Sequence, residues 1–257
     1  MSFLDSIRRA SEENQTRIVL ALDVEDSSTD RLSTKSKDIL RTVKDCICAV
    51  KINRQLVLSL GLRGGVDSIV KLSHEFSLPA IMDAKLNDVG HTNEFMMRSY
   101  VEAGFDAVIA SPVAGWEDGL EPVFRLAESH GKSVILLVYM SNPGAEYLYS
   151  LMAGKRGETQ RPVFELLTEM ALEWRAHGLV VGATKPEIIS RVRELVGRPM
   201  VIFSPGVGAQ GGDARKAIMA GSDCLIVGRA IYNAADPAEA ARNFRDLSRQ
   251  MTVDRPL

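Results

Sequence analysis

Eight short apolar runs, separated by longer amphipathic stretches, constrain this chain more than any other feature. The runs are RIVLALDV (17–24), CICAVKI (46–52), PAIMDAK (79–85), DAVIAS (106–111), SVILLVYM (133–140), GLVVGA (178–183), PMVIFSPG (199–206) and DCLIVGR (223–229). Between them lie segments with helical periodicity, such as TNEFMMRSYVEAG and RPVFELLTEMALEWRAHG. Short apolar runs bounded by turn residues read as strands, and the amphipathic segments as helices. Eight β-then-α units in 257 residues are the arithmetic of a (β/α)8 TIM barrel. A doubly wound α/β sheet is the alternative, because periodicity does not show whether a sheet closes.

No linker, low-complexity tract or charge block divides the chain, so residues 1–257 read as a single domain with a short N-terminal helical extension. Hydrophobic residues make up 46% and charged residues 25%, with a net charge of −2. That balance gives no bias towards nucleic acid or an anionic membrane. No apolar run reaches the length of a membrane span. The start, MSFLDSIRRASEENQ, lacks the apolar core of a secretory signal and reads as an amphipathic helix. Cys46, Cys48 and Cys224 are odd in number, which argues for buried thiols in a reducing cytoplasm rather than a disulfide framework.

In a βα barrel the C-terminal strand ends carry the active site. Reading those ends gives Asp23, Lys51, Asp83, Lys85, Ser141, the glycines of PGVG and Arg229. Asp83 and Lys85 are two apart, and on a regular strand both would project into the barrel mouth. Lys51 and Asp23, from the two preceding strands, would extend them into an alternating network. Such a network serves either as a salt-bridge cluster closing the barrel top or as catalytic machinery. SPGVGAQGGD (204–213) places a glycine-rich turn before a helix near Asp213, and Gly228 and Arg229 end the last strand. Backbone N–H groups, a helix start and a guanidinium suit a phosphate. The connection 141–161 is long enough for a lid or a structural excursion. Of His74, His91, His130 and His177, only His91 lies near these residues, and it reads as a helix-start residue.

Asp83-Ala-Lys85-Leu-Asn-Asp88 resembles the D-x-K-x-x-D signature of the orotidine 5′-monophosphate decarboxylase family. LALDV, AVKI, MSNPGA, PGVGAQGGD and VGRAIY match further family motifs in the same order, over about residues 16–235. The signature also occurs in sugar-phosphate relatives such as 3-keto-gulonate-phosphate decarboxylase and hexulose-phosphate synthase. DVG after the lysine leans towards those relatives. Lys51 leans away, since the metal-dependent members place a glutamate ligand there.

The resemblance implies decarboxylation of orotidine 5′-monophosphate to uridine 5′-monophosphate, the last step of pyrimidine nucleotide synthesis. Lys85 would protonate C6, Asp83 would lie beside the departing carboxylate, and Lys51 and Asp23 would hold the charge network and the ribose hydroxyls. Asp88 and Thr92 would reach the neighbouring subunit's site in a homodimer. Ser141 would read the pyrimidine amide, with Pro143 beside it. Gln210 would bridge lid and phosphate, and Gly206, Val207, Gly208, Gly228 and Arg229 would cradle the phosphate. Neither cofactor nor metal is implied, since no pyridoxal, thiamine or metal motif is evident. The alternatives are a metal-dependent sugar-phosphate decarboxylase or aldolase, and a nucleotide-binding barrel without activity.

Overall fold

The computed structural model describes residues 2–154 and 159–250. Among them, eight parallel strands close into a barrel. In chain order they are β1 (Ile18–Ala21), β2 (Ala49–Asn53), β3 (Ala80–Leu86), β4 (Ala107–Ala110), β5 (Ser133–Tyr139), β6 (Gly178–Val181), β7 (Val201–Pro205) and β8 (Cys224–Val227). Each strand pairs with its neighbours in sequence, and β1 joins both ends of the series. Val19 lies opposite Ala49 on β2, and Ile18 opposite Leu225 on β8. This closure leaves no edge, so the doubly wound alternative is excluded.

Every residue of β1, β4, β5, β6 and β8 is buried. One face fills the barrel and the other meets the helices, which is why these strands read as continuous apolar runs. The strands are shorter than the runs that announced them. Cys46 lies in a 3-10 turn (Lys44–Cys46), and Arg229 begins a short helix (Arg229–Tyr232). Apolar residues at the ends of a run pack between layers without joining the ladder. All three cysteines are buried and unpaired.

The N-terminal extension is a helix, Phe3–Glu13, opened by a capping box between Ser2 and Asp5. It buries Phe3, Ile7 and Ala10. Phe3 lies 6.4 Å from the ring of Phe203, which precedes the cavity-lining Pro205 by two residues and so shares its inward face.

The long connection after β5 has structure of its own. A helix, Ala145–Tyr149, is followed by Met152–Ala153, which pairs antiparallel with Arg161–Pro162. Residues 155–158 of the expected 141–161 lid lie outside the described residues.

Candidate active site

A cavity of about 470 Å³ opens at the C-terminal end of the barrel. Its lining includes the apolar Ala21, Ile109, Leu137, Val180, Pro205 and Ile226. Asp23, Lys51, Asp83 and Lys85 stand on one side, and Gly228 and Arg229 also line it.

The charged residues form one alternating chain. Lys51 Nζ donates to Asp83 Oδ2 at 2.8 Å and lies 3.6 Å from Asp23 Oδ1. Lys85 Nζ donates to Asp83 Oδ1 at 2.5 Å. Lys51 and Asp83 are only 4% and 6% exposed. Burial alone would raise the Asp83 pKa, but Lys51 and then Lys85 outweigh it and hold the carboxyl at about 2. Burial opposes the charge on Lys51 too, yet Asp83 and Asp23 raise its pKa, so it stays an ammonium. Asp23 Oδ1 is buried and accepts no hydrogen bond within the protein, since 3.6 Å to Lys51 makes an ion pair but not a hydrogen bond. The Asp23 side chain as a whole is 26% exposed and lines the cavity, where its carboxylate can accept from a ligand hydroxyl.

The route by which Lys85 meets Asp83 differs from regular strand alternation. The pairing of β3 with β4 shifts between Met82 and Leu86, and Lys85 has a left-handed φ of 47°. Left-handed backbone is costly for a lysine, and it persists where surrounding structure over-determines it. The two side chains converge across this bulge rather than by simple i, i+2 geometry.

Ser141, Gly206, Val207 and Gln210 line the cavity opposite. Gly206 has a φ of 96°, and a Cβ there would fall 2.7 Å from Gln210 Oε1 and 2.8 Å from Ser141 Cβ. Glycine is required for both reasons, and its absence of side chain lets Ser141 and Gln210 approach one another. Gly208 and Pro143 are not part of the lining. Gly208 N–H donates to Gly212 O at 2.9 Å, so this amide serves the loop itself. Asp213 caps its helix, Ala214–Met219, by accepting from Lys216 N–H, so that helix start is already occupied by a carboxylate. The expected anion site therefore reduces to Arg229, Gly228 and the Gly206–Gln210 side of the turn. Arg229 forms no ion pair among the described residues.

Asp88 is exposed and lies outside this cavity, and Thr92 also stays outside it. Asp88 borders a neighbouring hollow of about 440 Å³ that it shares with Arg54, Lys85 and Tyr149. His91 sits in the first turn of the helix Gly90–Glu102, exposed, with a ring nitrogen 3.2 Å from Thr92 Oγ1.

The model of the Orotidine 5′-phosphate decarboxylase / HUMPS family matches residues 16–244. The chain belongs to that family. It is 39% identical over 233 residues to the orotidine 5′-phosphate decarboxylase of Methanosarcina barkeri, covering 90% of this chain and 94% of that one. Its fold is similar to the Methanocaldococcus jannaschii orotidine 5′-monophosphate decarboxylase complexed with the inhibitor BMP. The TM-score is 0.77 at 30% identity, over 91% of this chain and 98% of that one. It also matches Leishmania donovani UMP synthase with a TM-score of 0.83 at 26% identity, covering 98% of this chain but 56% of that longer one.

Within the orotidine 5′-phosphate decarboxylase / HUMPS family frame, DVG at 88–90 has a packing reason. A Cβ on Gly90 would sit 2.9 Å from Asp118 Oδ1 and 3.1 Å from the Asp118 carbonyl carbon. That contact requires a glycine at position 90. Two residues escaped the sequence reading. Gln55 Nε2 and Tyr232 OH both donate to the Asp23 carbonyl, at 3.1 and 3.0 Å. Tyr232 lay inside the quoted VGRAIY motif, three residues after Arg229 on a helical turn, so helical spacing could have flagged it. Gln55 had no comparable signal. No group of three His, Cys, Asp or Glu side chains is gathered for a metal among the described residues.

Proposed function

We propose that this chain converts orotidine 5′-monophosphate to uridine 5′-monophosphate and CO2 without a cofactor, as a homodimer with shared sites. One observation carries the reading: the alternating chain Asp23–Lys51–Asp83–Lys85 ends with Lys85 at a cavity whose lining also includes Arg229.

Loss of CO2 breaks the C6–carboxyl bond and leaves its electron pair on C6, in the ring plane. No carbonyl can accept that pair. An ammonium held beside C6 becomes more favourable as charge develops there, which is stabilisation specific to the transition state. Lys85 Nζ then gives its proton to C6. Asp83 fixes Lys85, and its own low pKa keeps it a carboxylate beside the substrate's. Asp23, whose carboxylate lines the cavity, receives a ribose hydroxyl. Arg229, Gly228 and the Gly206–Gln210 turn take the phosphate, and Ser141 takes the pyrimidine amide. The phosphate, remote from C6, contributes binding energy that orients the ring.

The protonated Lys51 stands between Asp23 and Asp83, where a bridging cation would otherwise compete, and this favours the cofactor-free reading. Exposed apolar residues beside Asp88 and Thr92 favour a second copy as partner. Val89 is 48% and Phe95 72% exposed, with Val113 and Trp116 exposed on the loop after β4. Three unpaired buried thiols fit a cytoplasmic setting, and no helix among the described residues is long and apolar enough to cross a membrane.

A spectrophotometric assay with orotidine 5′-monophosphate tests the reading. Conversion to uridine 5′-monophosphate is expected, and binding without turnover would refute it.

A further inference from the structure

We infer that Asn93 is a positioning residue, which holds Asp88 in place for work in the site of a second copy of this chain. The inference rests on the shared site proposed above.

Asp88 is exposed, and exposed loop residues are ordinarily the mobile ones. Its backbone is nevertheless fastened on both sides by one side chain. Asn93 Oδ1 accepts from Asp88 N–H at 3.2 Å, and Asn93 Nδ2 donates to the Asp88 carbonyl at 2.6 Å. Nδ2 also donates to the Gly119 carbonyl at 3.1 Å. One N–H and two carbonyls fix the amide's orientation, because the flipped form would set oxygen against oxygen. Asn93 itself is 0% exposed, so each lost bond would leave a buried polar group unsatisfied.

The bond to Gly119 anchors this clamp outside its own loop. Gly119 belongs to the connection after β4, where Asp118 has a left-handed φ of 49° and meets Gly90 at the close approach described above. The Asp88 loop is thus tied to the next βα loop at two points. What this presents is a carboxylate with unused capacity. Asp88 Oδ1 accepts the Val89 N–H at 2.8 Å, and the carboxylate forms no ion pair among the described residues. The acid is held from behind and open in front. An amide needed only to brace a loop would serve its own chain. A clamp on Asp88 serves whichever site Asp88 enters.

Hybrid dimers separate the two cases. Chains carrying different tags are co-expressed, and mixed dimers are isolated through both tags. A Lys85→Ala/Asn93→Ala hybrid contains one site with Lys85 intact and Asp88 supplied by the chain that keeps Asn93. We expect the Asn93→Ala homodimer to lose about 10- to 100-fold in kcat/KM, the scale of a small misplacement of a catalytic group. The hybrid should recover to about half the wild-type activity, since two-fold symmetry leaves one of its two sites intact. The Asp88→Ala/Asn93→Ala double variant should be no worse than Asp88→Ala alone, as expected when one residue acts through another. A Lys85→Ala/Asp88→Ala hybrid tests the shared site by itself. Recovery there, without recovery in the Asn93 hybrid, overturns the role of Asn93 and leaves the shared site standing. If neither hybrid recovers, the shared site falls and this inference with it. Wild-type activity in the Asn93→Ala homodimer also overturns it. Should Asn93→Ala fail to fold, Asn93→Asp gives the same comparison, because it keeps the shape and the acceptor but loses both donated bonds.

Discussion

Asp83 binds Lys85 Nζ through one carboxylate oxygen and Lys51 Nζ through the other, so a single buried acid fixes two ammonium groups from adjacent strands. This bidentate role has a measurable consequence for stability. The folded pKa of about 2 lies below the ordinary 3.8. The stabilising contribution is therefore present above the unfolded value and is lost as pH falls through the folded one. Integrated over that window it amounts to about 2 kcal/mol. Urea unfolding of wild type and Asp83→Asn should differ by an amount on that order near neutral pH. The gap should narrow as pH falls from about 4 towards about 2. A gap independent of pH would mean that Asp83 is not held as a carboxylate by these lysines.

Metal removal should leave the reaction untouched. Lys51 lies between the two acids that would otherwise offer a cation site, and its raised pKa keeps it charged. Turnover measured in EDTA should match turnover in added magnesium. A strict magnesium requirement would place the chain with the sugar-phosphate relatives.

In the proposed function Arg229 binds the phosphate in ground and transition states alike, so Arg229→Ala should raise KM with a smaller change in kcat. A lost charge-assisted contact costs about 1.5–3 kcal/mol, or roughly 10- to 150-fold in affinity. Steady-state kinetics resolves the two parameters. A fall in kcat with KM unchanged would place Arg229 away from the phosphate.

Phe95 lies on the helix that begins just after Asp88 and is 72% exposed. A charge there, as in Phe95→Glu, should weaken self-association and lower activity at dilute protein concentration. Analytical ultracentrifugation checks the first effect and a concentration series the second. A variant that stays as dimeric and as active as wild type would move the interface elsewhere.

The barrel was legible because the strands are buried on both faces over all but their C-terminal ends, and continuous apolar runs are hard to place anywhere else. Asp23, Lys51, Asp83, Lys85 and Arg229 were legible because charges at the ends of such runs are costly without a purpose. The β3 bulge was not, since the left-handed backbone at Lys85 leaves no mark in its residue type. The closed amide of Gly208 and the capped helix at Asp213 were hidden for a similar reason. A glycine-rich turn shows where N–H groups lie, but not whether the loop has already used them. Gln55 and Asn93 act on backbone carbonyls far from them in sequence or across a turn, and such contacts exist only once the fold has formed.

The proton-donor role of Lys85 is tested most directly by the kcat of Lys85→Ala, measured beside its affinity for uridine 5′-monophosphate. A lysine acting as the proposed proton donor meets charge that develops only during reaction, so its loss should fall on kcat and far exceed the roughly 10- to 150-fold scale of one charged contact. Binding of the product nucleotide, which the proposal assigns to Arg229, Ser141 and Asp23, should largely survive. A Lys85→Ala enzyme with kcat within about tenfold of wild type, equivalent to roughly 1.4 kcal/mol, would contradict the assignment.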